Sequence, residues 1–175
     1  PRPAHLMRYG QIRRYDIANG VGIRTSIFVT GCTRHCPECF NVEYQDFQAG
    51  QLWTDKETEQ VIQYMKDDNV AGLTLLGGEP MQNAEGLTEV VRAVKKAVQK
   101  SIWVYSGYQW DEILADPVKK ALLQECDVLV DGPFVDALKD PMLRFRGSSN
   151  QRVIDIRQSL AAGQIVRDEI TGDVM

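Results

Sequence analysis

The residues best equipped for chemistry are three cysteines, Cys32, Cys36 and Cys39, in the run Gly31-Cys32-Thr33-Arg34-His35-Cys36-Pro37-Glu38-Cys39-Phe40-Asn41. Their C-x3-C-x2-C spacing packs three thiols into eight residues, and metal binding is a chemistry that uses all of them. Two metal readings compete. Structural zinc asks for four ligands in a closed tetrahedron, and the nearby fourth candidate, His35, abuts Cys36 and would have to fold back over its own backbone. An iron–sulfur cluster usually takes four cysteine ligands; held by three, it keeps one iron open to another molecule. Three unrelated packing thiols are the alternative to both. The fourth cysteine, Cys126, lies far along the chain and reads as a buried apolar thiol.

A second group is Gly77-Gly78-Glu79-Pro80, directly after the apolar run Leu73-Thr74-Leu75-Leu76. The glycines let backbone approach a ligand closely, Glu79 adds charge and Pro80 stiffens the turn. An ordinary strand-to-helix turn is the competing reading.

The elements that must position these groups alternate between β-rich and helix-period segments. Strands are expected at 24–30, 73–76, 102–105, 127–131 and 152–156. Thr54-Asp55-Lys56-Glu57 is a capping box opening a helix that shares Val61, Ile62 and Met65 on one face. From Gly86 to Gln99 the residues Leu87, Val90, Val91, Val94, Ala97 and Val98 mark an amphipathic helix. Asp116-Pro117 pairs an N-cap with proline at the first helical position, opening a helix to about Glu125. This alternation predicts an α/β fold, a partial (β/α) barrel or an open parallel sheet of about five to six strands with flanking helices. A full eight-strand barrel needs about 250 residues, more than the 175 present. In either arrangement the site belongs at the C-terminal ends of the strands.

Composition narrows the function. With 20 Lys+Arg against 24 Asp+Glu, a net charge of −4 and no basic cluster, the chain is not built for nucleic acid. Its apolar runs are far short of the roughly 20 residues needed to cross a bilayer, so no membrane partner is expected. The lack of a charged-then-apolar leader points to the cytoplasm. Residues 1–6 read as an N-terminal extension of cloning origin, with Met7 the expected native start and 7–175 one domain. With two histidines in the chain, a histidine-based metal site is not expected.

The cysteine spacing after a strand and the Gly-Gly-Glu-Pro turn after the next one resemble the signature of the radical S-adenosylmethionine (SAM) superfamily. The resemblance implies a [4Fe–4S] cluster on Cys32, Cys36 and Cys39, with the open iron chelating SAM. A narrower resemblance runs through 8–152: Asn19-Gly20-Val21-Gly22-Ile23-Arg24-Thr25, Cys39-Phe40-Asn41, Trp103-Val104-Tyr105-Ser106-Gly107-Tyr108, Val128-Leu129-Val130-Asp131-Gly132-Pro133-Phe134 and Arg146-Gly147-Ser148-Ser149-Asn150-Gln151 look like the blocks of the anaerobic (class III) ribonucleoside-triphosphate reductase-activating proteins. It implies SAM contacts on Glu38, Cys39, Phe40, Gly77, Gly78, Glu79 and Pro80. Many radical SAM proteins carry an aromatic just before the third cysteine; here that slot is Glu38 and the aromatic is Phe40, a displacement those activating proteins share. The implied reaction is reductive cleavage of SAM to a 5′-deoxyadenosyl radical, which takes hydrogen from a glycine of the large reductase subunit. The implied partners are that subunit and a low-potential electron donor such as flavodoxin. No side-chain acid or base is required, so no catalytic residue is assigned. The readings kept beside it are another small radical SAM enzyme (pyruvate formate-lyase activase-like, or acting on a small molecule) and a non-catalytic zinc or iron–sulfur module.

Several further residues carry two readings. Asp131 either touches a ligand or satisfies a turn at a strand end. Arg146 either grips a carboxylate or pairs locally. Trp53, Trp103 and Trp110 are expected in the core, while Tyr105 and Tyr108 are strand-end site candidates. No role is assigned to the segment from about Gln158 onward.

Overall fold

In the computed structural model, residues 6–33 and 42–168 are described. They form one seven-stranded sheet in the order β3-β1-β2-β4-β5-β6-β7, with β1 Arg8–Asp16, β2 Arg24–Val29, β3 Gln51–Leu52, β4 Gly72–Gly77, β5 Ser101–Tyr105, β6 Val128–Asp131 and β7 Arg152–Asp155. The helices are α1 Asp55–Met65, α2 Ala84–Ala97, α3 Trp110–Leu114, α4 Pro117–Gln124 and α5 Ile156–Ala162.

The α/β class agrees with the sequence, but the all-parallel sheet of five to six strands is corrected. Only β2, β4, β5 and β6 run parallel. β1, β3 and β7 pair antiparallel with their neighbours, and the sheet is open. The reason lies in the connections. A parallel pairing needs a crossover, which here contains helix α1, α2, or α3 with α4. Between β6 and β7 the chain makes only a short 3-10 turn at Asp136–Leu138, so it returns antiparallel. β1 escaped notice because Arg8, Arg13, Arg14 and Asp16 interrupt its apolar pattern.

Strand alternation sorts the side chains onto two faces. Ile27, Val29, Leu73, Leu75, Ile102, Val104, Leu129 and Ile154 join Val61, Met65, Leu87, Val90, Val91, Val94, Leu122 and Leu123 of the helices in the main core. Each such buried aliphatic side chain stabilises by roughly 1.5–3 kcal/mol. The capping box of α1 forms as expected. The Asp116 side chain caps α4 by accepting from the amides of Val118 and Lys119. Trp53, Trp103 and Trp110 are all buried, and so is Cys126.

The opposite face carries a smaller cluster of Trp103, Val128, Val130 and Val153, covered by Val21, Tyr105 and Phe145. Val21 and Phe145 come from two loops, 17–23 and 132–151, and Tyr105 from the end of β5. The segment after Gly163 closes the outer edge of β7: the Asp155 amide donates to Val166 O at 2.9 Å and the Asp168 amide to Val153 O at 2.9 Å. That pairing shields a sheet edge otherwise open to another chain. Among the described residues no helix is long and apolar enough to cross a membrane.

Candidate functional site

A cleft of about 460 Å³ opens on the loop-covered face, where the parallel strands end. Cys32 after β2, Gly77, Gly78 and Glu79 at the end of β4, Ser106 and Gly107 after β5, and Gly132 after β6 all line it. Cys32, the first cysteine of its motif, and the Gly77-Gly78-Glu79 turn therefore line one cleft, at the strand ends expected to carry the site.

They are also joined. The Gly78 amide donates to Val29 O at 2.8 Å and the Glu79 amide to Gly31 O at 2.7 Å. The Gly31 and Cys32 amides donate to Tyr44 O and Gln45 O at 2.7 and 2.9 Å. Gly77 has φ of +108° and a Cβ there would come within 2.4 Å of Val29 O, so the left-handed turn and the close packing both demand glycine. The sequence assigned the two glycines to a ligand; the structure gives them first to the backbone before Cys32.

Glu79 is buried. Its carboxylate accepts from the Met81 amide at 2.9 Å, Ser106 Oγ at 2.8 Å and the Gly107 amide at 2.7 Å. Its charge thus fastens the end of β4 to the end of β5. Pro80 opens the 3-10 turn Pro80–Asn83 that Glu79 caps.

Two residues here were not found in the sequence. Gln82 accepts from the Thr33 amide at 3.0 Å through Oε1, while its Nε2 donates to Thr33 Oγ1 at 2.7 Å and Tyr108 Oη at 3.1 Å. Asn83 Nδ2 donates to Thr30 O and Glu79 O at 3.2 and 3.1 Å. Together they hold the four residues from Thr30 to Thr33. Their signal was position, two and three residues beyond Pro80, which nothing in side-chain type alone distinguishes from a helix start.

The rest of the wall comes from Arg13, Ala18, Asn19, Phe28, Leu76, Tyr105, Val130 and the 132–151 loop. Arg13 lies over the Phe28 ring at 4.9 Å. The Tyr105 hydroxyl is buried, and burial pushes its pKa up. Tyr108 stands outside the lining residues and serves Gln82 instead. The Arg-Gly-Ser-Ser-Asn-Gln block clamps its own loop. Gln151 Oε1 accepts from the Gly147 and Ser148 amides at 2.8 and 3.1 Å, and its Nε2 donates to Gly132 O at 3.0 Å. Arg146 Nη1 donates to Gln151 O at 2.9 Å, a local contact, while the residue lines the cleft. Phe145 takes a φ of +63°, a strained setting for an aromatic, and sets its ring edge-on to Trp103 at 5.2 Å. Asp131 resolves to the structural reading: it accepts from Arg152 Nε at 3.0 Å and Nη2 at 2.6 Å, and from the Trp110 amide at 2.8 Å.

Cys36, Cys39, Glu38, Phe40 and His35 lie outside the described residues. The Cys32 thiol stands at the edge of the cleft beside backbone stripped of Cβ atoms, and the volume falls in the range of small-molecule sites. This one thiol and the space beside it are compatible with a thiolate-held cluster and a small ligand.

The chain is similar to known proteins along most of its length. Residues 18–154 match the family model described as a 4Fe-4S single cluster domain. An anaerobic ribonucleoside-triphosphate reductase-activating protein of Haemophilus influenzae is 42% identical over 150 residues, covering 83% of this chain and 96% of that protein. The Escherichia coli K12 protein of that name is 38% identical over 156 residues, 86% of this chain and 100% of its own length. The protein of that name from Enterobacteria phage T4 is 35% identical over 150 residues, 84% and 93% of the two chains.

Proposed function

Because the chain belongs to the family of anaerobic ribonucleoside-triphosphate reductase-activating proteins, we propose that it is a radical SAM activase that places a glycyl radical on the large subunit of an anaerobic ribonucleotide reductase. The observation that carries this reading is the meeting of Cys32 with the Gly77-Gly78 turn in one cleft. Cys32, Cys36 and Cys39 would hold a [4Fe–4S] cluster with one iron open. Glu38, Cys39, Phe40, Gly77 and Gly78 would contact SAM, with Glu79 and Pro80 setting the shape of the turn. When bound, the cluster would supply the electron that splits the C5′–S bond of SAM into methionine and a 5′-deoxyadenosyl radical, which would take hydrogen from the α-carbon of the target glycine to leave 5′-deoxyadenosine and the glycyl radical.

The chain's own task is binding, orientation and exclusion of water. The hydrogen bonds on Thr30, Gly31, Cys32 and Thr33 hold the backbone that carries the first thiol. Preorganisation of this kind is what positions a reacting carbon within a few ångströms of its target. Phe28, Leu76, Val130, Phe134 and Phe145 form the apolar part of a lining that also carries Arg13, Asn19, Glu79 and Arg146, and a partner seated over the opening would complete the exclusion of water. The open sheet would leave room for a loop of a large partner. A low-potential flavin protein such as flavodoxin would supply the electron.

The test is anaerobic mixing of the cluster-loaded protein with the reductase, SAM and a reductant, read by electron paramagnetic resonance. A glycyl doublet is expected, with deuterium from an α-deuterated target glycine appearing in 5′-deoxyadenosine. Turnover of a small molecule without any protein partner would overturn the reading.

A further inference from the structure

We infer that Ile17 and Met142 are the two anchors by which this protein grips the reductase surface around the target glycine. The inference rests on the activase reading above and adds to it a docking face.

Among the described residues the two most exposed large apolar side chains are Met142, 87% exposed, and Ile17, 79% exposed. They stand on the two separate loops that build the cleft walls. Ile17 precedes Ala18 and Asn19, and Met142 precedes Leu143; those three neighbours line the cleft. The loops share a footing, since Val21 from one and Phe145 from the other pack on the cluster around Trp103. Both anchors therefore stand one residue from the cleft lining.

The chemistry of the target explains why such anchors are needed. Glycine has no side chain to grip, so an enzyme acting on its α-carbon must recognise the surface on either side of it. The cleft receives the backbone and the rim holds what flanks it. Methionine is enriched at protein interfaces, and a few residues carry most of the affinity of such surfaces. The 17–23 loop is held firmly enough for this. Asp16 accepts from the Ala18 amide at 2.9 Å and Asn19 Nδ2 at 2.8 Å, and Thr74 Oγ1 donates to Asn19 O at 2.7 Å. Ile17 is thus exposed on an ordered loop.

The test compares Ile17→Ser, Met142→Ser and their double variant with Val118→Ser and Leu160→Ser, which alter exposed apolar residues on α4 and α5. All are loaded with cluster, and affinity for the intact reductase large subunit is measured anaerobically by calorimetry. Each cleft-rim variant should weaken binding about tenfold, while the helix variants bind as the unaltered protein does. Cleavage of SAM without the partner should be unchanged in all of them, and the radical yield of the rim variants should recover when the reductase concentration is raised. Unaltered affinity in the double variant overturns the docking face alone. No affinity in the unaltered protein overturns the activase reading, and the docking face with it.

Discussion

Gly78 lies so close to Gly31 that a Cβ on Gly78 would stand 2.7 Å from the Gly31 carbonyl oxygen and 2.9 Å from its nitrogen. The turn after β4 and the residue before Cys32 are thereby one packed unit. A change made in one motif must be felt in the other, although 47 positions separate them.

Gly78→Ala puts this to the test. The added methyl would also meet Tyr44 O at 2.5 Å, and all the atoms it meets are backbone with no rotamer to yield. Overpacking of this kind costs about 1–3 kcal/mol. The expected result is a lower denaturant midpoint together with a several-fold loss of iron retained after anaerobic reconstitution. Iron content equal to that of the unaltered protein would show that the two segments part without consequence for the cluster.

The cysteines should divide cleanly. Cys32 borders the cleft, whereas Cys126 is buried in the main core and burial pushes its thiol pKa up. Cys126→Ala should keep about four irons per chain and lose stability on the order of 1 kcal/mol. Cys32→Ala should lose the iron. In the folded protein an alkylating reagent should leave Cys126 unmodified, because the thiolate is the reactive form; peptide mass mapping reads the outcome.

This division was legible in the sequence because spacing separates Cys126 from the other three. The helices that cover the core were equally legible: the 3.6-residue pattern of α2 and the caps at Thr54 and Asp116 are local signals. What could not be read was the direction of β7, since orientation depends on whether a connection packs a helix across the sheet, and 132–151 gives no period of either kind. Glu79 shows a different limit. Its place in Gly-Gly-Glu-Pro suggested a charge offered to a ligand, but Ser106 and Gly107, which engage it, come from another strand. The Arg-Gly-Ser-Ser-Asn-Gln block stood out by composition, while its role as a clamp needed the Gln151 amide to be seen reaching Gly132.

Glu79→Gln should reveal that tie. Glutamine keeps the volume but replaces one accepting oxygen with a donating NH2, which must face the Met81 amide and Ser106, or the Gly107 amide. Leaving a buried donor unmet costs about 1–3 kcal/mol. The expected loss of stability is in that range and is measured by urea unfolding. SAM affinity should fall with it, since the strand ends lining the cleft are no longer held together. A variant as stable as the original would mean that the three hydrogen bonds add little.

Asp16 gives the fold a pH dependence. Burial alone would raise its pKa; hydrogen bonds from Ser26, Asn19 and the Ala18 amide, with Arg13 nearby, outweigh it and hold the carboxyl below the usual range. The unfolded chain therefore takes up this proton more readily than the folded one. The contribution is complete above the ordinary aspartate value near pH 4 and is lost as pH falls through the lower folded value. Asp16→Asn should be less stable than the original at about pH 7, by a gap that stays level down to about pH 5 and closes as acid is added below about pH 4. Paired urea titrations of the two proteins measure that gap, and taking the difference cancels the other carboxylates. A gap that does not narrow in acid would show that the loop carrying Ile17 is held by hydrogen bonds to a neutral Asp16 as firmly as to a charged one.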